Sequence, residues 1–100
     1  MLRIASSPFQ AIAHPVRRDL LEALREADSP MTVTDLGRRC EVSHSTASRH
    51  LDLLRANGLV VSRRSRTATL HALRPGAFEE LADWLWAFFS DPPAVAPRRS

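Results

Sequence analysis

The chain has 100 residues, room for one domain, and 44% of them are hydrophobic, enough for a core in a class of chain that is only marginally stable alone. Its net charge is +3, and all fourteen basic residues are arginine. No run of about twenty apolar residues marks a membrane span and no signal peptide is visible, so a cytoplasmic protein with no membrane partner is expected; the lone Cys40 excludes an internal disulfide.

In chain order, Phe9 to Ala13 reads as a short helix after Pro8, broken before Pro15 because the residue preceding a proline disfavours the helical region. His14 is a helix-entry residue, and Pro15 opens the next helix at a position where its missing N–H costs nothing. In that helix Val16, Leu20, Ala23, Leu24 and Ala27 form an inward stripe. Arg17 and Arg18 point away from it, either toward a phosphate or simply into solvent. Asp28-Ser29-Pro30 reads as a turn, and Met31-Thr32-Val33 as a brief extended piece able to pair with a later sheet. Thr34 is expected to cap a helix through Cys40, with Asp35 favourable in its positive first turn.

After the tight link Glu41-Val42-Ser43 comes the most informative stretch, Ser43 to Asn57. Ser43 suits an N-cap and Gly58 a left-handed stop. At 100° per residue Ala47, Leu51 and Leu54 share one side, while Ser45, Ser48, Arg49 and Asp52 lie opposite. An ordinary solvated face carries long straight side chains; this one carries Ser, Thr and His around a single Arg. Small hydroxyls let a helix approach base edges closely, and Arg can bind guanine through two bonds. A merely solvated serine-rich helix is the alternative. Together with the preceding helix, through Leu36, Cys40 and Val42, this forms a helix-turn-helix whose second helix enters the major groove of double-stranded DNA.

Beyond Gly58 the period changes. Leu59 to Ser62 and Ala68 to Leu73 read as strands, with Arg63-Arg64-Ser65-Arg66-Thr67 between them as an arginine-rich hairpin tip. Such a tip repels itself unless a polyanion neutralises it, so the hairpin is expected to act as a wing on DNA; a charged loop that only deters edge pairing is the alternative. The charge distribution agrees. Ser43 to Arg74 holds six arginines against Asp52, whereas Pro75 to Ser100 holds four acids against two arginines.

Pro75 to Ser90 is expected to form the last helix. Phe78, Leu81, Ala82, Trp84, Leu85, Trp86, Phe88 and Phe89 cover about 200° of its wheel, twice what a singly packed helix needs. One flank therefore belongs on the chain's own core and the other on a second copy, with an effector pocket as the competing explanation. Residues 91–100 read as a disordered tail behind a single domain spanning 1–90.

The residues Ala13-His14-Pro15-Val16-Arg17-Arg18, Ser43 to Leu51 and Leu54 to Val60, in the order helix, helix, helix-turn-helix, hairpin, helix, closely resemble the arsenic-repressor (ArsR/SmtB) family of bacterial regulators. The resemblance covers roughly Phe9 to Phe89, and Asp83-Trp84-Leu85-Trp86 is similar to the ending of its SdpR-like branch. It implies a mainly α fold with a small β-hairpin, a five-helix winged helix-turn-helix of order α-α-α-α-β-β-α. It also implies a homodimer formed through the first and last helices that represses transcription from an inverted-repeat operator. Metal-sensing members carry two cysteines where Thr32 and Thr34 stand here, and zinc sensors use a last-helix histidine that is missing after Pro75, so neither metal site nor cofactor is expected.

The DNA-binding set expected is Ser43, His44, Ser45, Thr46, Ser48, Arg49 and His50 with Arg63, Arg64 and Arg66; His50, between the two faces, either orients a phosphate contact or packs. The dimer set is Phe9, Ile12, Phe78, Leu81, Trp84, Leu85 and Phe88. A protein-docking module working through the Trp-rich helix is the second reading, and an unidentified effector or sequestering protein is left open as a partner. An enzyme has little behind it, for the chain carries neither a phosphate-binding glycine loop nor a strand-turn serine motif.

Overall fold

The computed structural model describes residues 7–90, which fold in the order α1 (Pro8–Ala11), α2 (Pro15–Ala27), α3 (Val33–Cys40), α4 (His44–Ala56), β1 (Val60–Ser65), β2 (Ala68–Leu73) and α5 (Glu79–Ser90). This is a winged helix-turn-helix with five helices and one antiparallel hairpin. The tail expected over 91–100, and the first six residues of the expected domain, lie outside the described residues.

Ser7 caps α1 through a bond from the Phe9 amide, and one turn later the helix ends at Ala11, two residues earlier than expected. Its carbonyl end is closed by side chains of α2. Arg17 Nε donates to Ala11 O at 2.8 Å and Arg18 Nη1 to Ile12 O at 2.8 Å. These two arginines are therefore not aimed at a phosphate, nor simply solvated; they satisfy carbonyls that a helix end leaves unpaired. His14 caps α2 by accepting the Val16 amide on Nδ1, and Asp28, at φ 54°, ends it in the left-handed region. The buried face of α2 is Leu20, Leu21, Ala23 and Leu24; Val16 and Ala27, expected in the stripe, are half-buried at its two ends.

The cap of α3 is Thr32, not Thr34. Thr32 is extended and its hydroxyl accepts the Asp35 amide at 3.1 Å, so Val33 is already helical and Thr34 stands exposed within the first turn. The extended piece expected over 31–33 shrinks to Met31, which exchanges both backbone bonds with His71 of β2. Between α3 and α4, Glu41 turns left-handed at φ 59° and the Val42 amide returns to Gly37 O at 2.9 Å. Gly37 is buried here. A Cβ on it would sit 3.1 Å from Val42 O and 3.7 Å from the Ala47 side chain, so glycine permits α3 and the head of α4 to cross closely.

The core is assembled from Leu20 of α2, Leu36 of α3, Leu51 and Leu54 of α4, Leu59 and Val60, all essentially without solvent contact. α4 ends at Asn57 and Gly58, the latter at φ 80°, and the chain enters the hairpin in the register Val60↔Leu73 to Ser65↔Ala68. That register shortens the expected five-residue tip to Arg66-Thr67. Arg63 and Arg64 lie on the strand itself, and by alternation they face opposite sides. Arg66 takes φ 58°, a conformation that costs a residue with a Cβ about 1 to 2 kcal/mol.

Residues 75–78 form turns rather than the start of the last helix, because Gly76 lies at φ 75°. They place Ala77 in the core and pack Phe78 against it before α5 begins with Glu79 and Glu80 at its positive end. Along α5 the Trp84 ring meets Phe9 of α1 edge-on at 5.4 Å and Phe88 at 4.7 Å. Trp84, Leu85, Trp86, Phe88 and Phe89 are nonetheless 50 to 75% exposed.

The position of the α3 cap is checked by two substitutions. Thr32→Ala is expected to lower unfolding free energy by about 1 kcal/mol, and Thr34→Ala by less than about 0.5 kcal/mol. Urea unfolding of both variants reads this; equal losses would contradict the assigned cap.

Candidate nucleic-acid interface

Two elements packed against each other, α4 and the hairpin, carry the candidate face. At the head of α4 the Ser43 hydroxyl accepts the Thr46 amide at 3.1 Å and donates to Thr46 Oγ1 at 2.9 Å, with Ser45 Oγ at 3.3 Å. Three hydroxyls are thus gathered at the positive end of a 13-residue helix, a setting that favours an anion. Ser43, His44, Ser45 and Arg49 are exposed, and Thr46 is half-buried. Ser48 is also half-buried. It lines a groove of about 260 Å³ with Leu51, Asp52 and Arg55 of α4, Thr69 and His71 of β2, and Val33.

The arginines divide sharply by what they already hold. Arg55 is paired with Asp52 at 3.0 Å, Arg39 with Glu26 and Arg38 with Asp35, while Arg74 donates to Gly58 O. Arg49, Arg63, Arg64 and Arg66 are exposed and make no hydrogen bond or ion pair among the described residues. A guanidinium with five donors and no acceptor nearby is available for an incoming polyanion.

One expected member leaves this face. His50 is 6% exposed, stacks on His14 with ring centroids 4.6 Å apart, and lies 3.3 Å from Arg17 Nη1 through its Nδ1. Of the two roles open to it, it packs: its position on the wheel turns it toward the start of α2 and away from the outer face. His71, expected as a strand residue, is buried with Nδ1 at 2.8 Å from Ser62 Oγ. Among the described residues no three His, Cys, Asp or Glu side chains gather as a metal site would need, and no helix is long and apolar enough to cross a membrane. Cys40 packs against the core, and burial, with Asp19 adding to it, raises its thiol above the usual range.

Two positions that serve this face were passed over in the sequence. Gly37 was the signal of a close approach within a helix, where glycine otherwise weakens the element. Asn57, whose Oδ1 accepts the Ser7 amide and whose Nδ2 donates to Leu53 O, ties the end of α4 to the head of α1; no local pattern marks such a contact over fifty positions.

A family model described as a helix-turn-helix domain matches residues 12–63. Over 82 residues the chain is 26% identical to the transcriptional repressor SdpR of Bacillus subtilis (strain 168), covering 82% of this chain and 89% of that protein. It is also 35% identical over 78 residues to the HTH-type transcriptional regulator NmtR of Mycobacterium tuberculosis, covering 78% of this chain and 63% of the relative. Among solved structures, a "possible transcriptional regulator for arsenical resistance" superposes with a TM-score of 0.70 at 29% identity, covering 82% of this chain and 83% of that one. The chain belongs to the ArsR family of winged-helix regulators. As a member of that family it is a DNA-binding transcription regulator, and its likeness to SdpR agrees with the SdpR-like branch.

The two buried histidines of this ArsR-family regulator give it a pH dependence of known sign. Burial first, and then the positive neighbours, lower both His50 and His71 below the ordinary histidine value, although Asp52 partly opposes this at His71. The unfolded chain therefore takes up protons that the folded chain refuses, and stability is lost as pH falls through the unfolded value of about 6.5. Urea midpoints are expected to be lower at about pH 5.5 than at about pH 7.5; a midpoint that rises on acidification would contradict the burial of these rings.

Proposed function

We propose that the chain is a homodimeric repressor that binds an inverted-repeat operator through α4 and the wing. The observation that carries this is the set of four unpaired guanidinium groups, Arg49, Arg63, Arg64 and Arg66, set beside the hydroxyl cluster at the head of α4. Elsewhere Arg17, Arg18, Arg38, Arg39 and Arg55 already have partners and Arg25, exposed at the last turn of α2, is the exception, so free cation density gathers where the helix-turn-helix fold presents its second helix. Arg49, with Ser45 and Ser48, reads base edges. Ser43, His44 and Thr46 hold the helix end against the backbone, and the wing arginines bind phosphates without regard to sequence.

The dimer is supported by α5. Five large apolar side chains on one 12-residue helix are half or more exposed, a continuous patch that soluble monomers seldom present. Within the expected interface Ile12 and Phe78 already pack on the chain's own core, and Leu81 is half-buried. Phe9, Trp84, Leu85 and Phe88 are left as the contact with a second copy, with Trp86 and Phe89 at its edge. The same patch is the basis of the protein-docking alternative, which the relatives, all regulators of transcription, do not favour. A cytoplasmic location follows from work on chromosomal DNA. The geometry assigns no effector.

Selection of bound duplexes from a random pool with the purified chain is expected to return two half-sites roughly one helical turn apart. Against that operator Arg49→Ala should lose about 1 to 3 kcal/mol of discrimination at one base position. Each wing arginine changed to alanine should instead weaken operator and random DNA alike and flatten the salt dependence by about one unit of slope. Equal losses on operator and random DNA for Arg49→Ala would remove its reading role. Light scattering is expected to give a dimer for the native chain, and the Trp84→Ala/Phe88→Ala variant should shift it toward monomer, since aromatic anchors each contribute about 2 kcal/mol or more. A native monomer would overturn the twofold arrangement.

A further inference from the structure

Two imidazoles meet where α1 is fastened to the rest of the molecule. The rings of His14 and His50 are tilted by 43° with centroids 4.6 Å apart. Each offers Nδ1 as an acceptor: His14 to the Val16 amide at 3.1 Å, His50 to Arg17 Nη1 at 3.3 Å. A guanidinium accepts nothing, so Nδ1 of His50 must carry a lone pair and the ring is neutral with its proton on Nε2. The same Arg17 reaches outward to α1, giving Nε to Ala11 O at 2.8 Å and Nη2 to Gln10 O at 3.3 Å. One side chain thus joins a neutral ring on α4 to the carbonyl end of α1.

The charges around this junction have one sign. The start of α2 brings His14, Arg17 and Arg18, and α4 brings Arg49; α1 supplies carbonyls and the uncharged Gln10, and its described contact with α5 is aromatic, Phe9 on Trp84. Among the described residues, no carboxylate acts on His50. An added proton would therefore meet only repulsion.

We propose that His14, Arg17 and His50 form an acid-released latch that holds α1 in place. Protonation of His50 on Nδ1 removes the acceptor for Arg17 and sets an imidazolium against a guanidinium. A solvent proton then occupies that lone pair and the bond from Arg17 is lost. Arg17 then turns outward and gives up the α1 carbonyls, so the latch is closed at neutral pH and opens as pH falls below the ordinary histidine range. The lowering of the His50 value by burial, His14, Arg17 and Arg49 has the sign this requires. Because α1 carries Phe9 onto Trp84, its release also loosens the apolar face of α5, a consequence for assembly that rests on the dimer proposed above.

The test uses the full chain, labelled with nitrogen-15, and follows the histidine ring protons, the amides of Phe9 to Ile12 and the Phe9–Trp84 cross-peaks between about pH 7.5 and about pH 5. The docked population of α1 is expected to fall at least about tenfold, with the midpoint of the His50 ring. His14→Asn/His50→Gln keeps an acceptor at both positions and ionises at neither, and is expected to hold α1 docked throughout. Signals of α1 that stay fixed, that move with a midpoint other than that of the His50 ring, or that titrate alike in the double variant would overturn the latch. Should the double variant fail to fold, the midpoint comparison in the native chain decides alone. Light scattering on the same neutral sample reads the dimer independently, so loss of one proposal is not mistaken for loss of the other.

Discussion

The angle at which α4 leaves the molecule depends on one close crossing. Gly37 lies beneath Val42 O and Ala47, and the Val42 amide closes back onto Gly37 O. Any larger residue would have to displace backbone rather than a flexible side-chain end, so the link of three residues has little freedom. With Leu36 and Leu51 wholly buried on either side of that crossing, α4 is held as a rigid projection. Its outer residues are thereby presented by packing rather than by a loop, which is what positional accuracy at a binding face demands.

Electrostatic selectivity in this chain arises by subtraction. A count of arginines over the central segment marks a basic region, but the structure commits part of it internally: Arg55 to the Asp52 carboxylate, and Arg74 to the Gly58 carbonyl. Arg17 and Arg18, equally basic in the sequence, are committed to the end of α1. What is left over is narrower than the composition suggested, and apart from Arg25 of α2 it lies, among the described residues, on α4 and the hairpin. The acidic start of α5 has a local role of its own, since Glu79 and Glu80 follow the Gly76 turn and sit at the positive end of their own helix.

The order of elements, the cap at Ser43, the stop at Gly58 and the buried stripe Ala47, Leu51, Leu54 were all legible, because each follows from a local rule about hydrogen-bond donors or helical period. Three features were not. The cap at Thr32 competes with a chemically equivalent Thr34, and only the Met31–His71 bridge, a tertiary contact, decides between them. The two-residue turn at Arg66 was masked because an arginine in the left-handed region breaks the expectation that such a place belongs to Gly or Asn. His50 sits at a boundary angle on the wheel, where its orientation is set by His14 and Arg17 more than thirty positions away. For Thr32 and His50 the missing information was a long-range partner, and for Arg66 it was a local conformation that its residue type disguises.

The tightness of that arginine turn bears on the length scale of recognition. With no slack loop at its end, the hairpin is a stiff lever of six paired residues, about 20 Å at the usual rise per residue. A stiff lever cannot adjust its reach to variable spacing. In the binding mode proposed above, the distance between α4 and the lever's end would therefore be a built-in ruler, and the number of base pairs spanned by one subunit would be set by strand length rather than by the sequence beneath it.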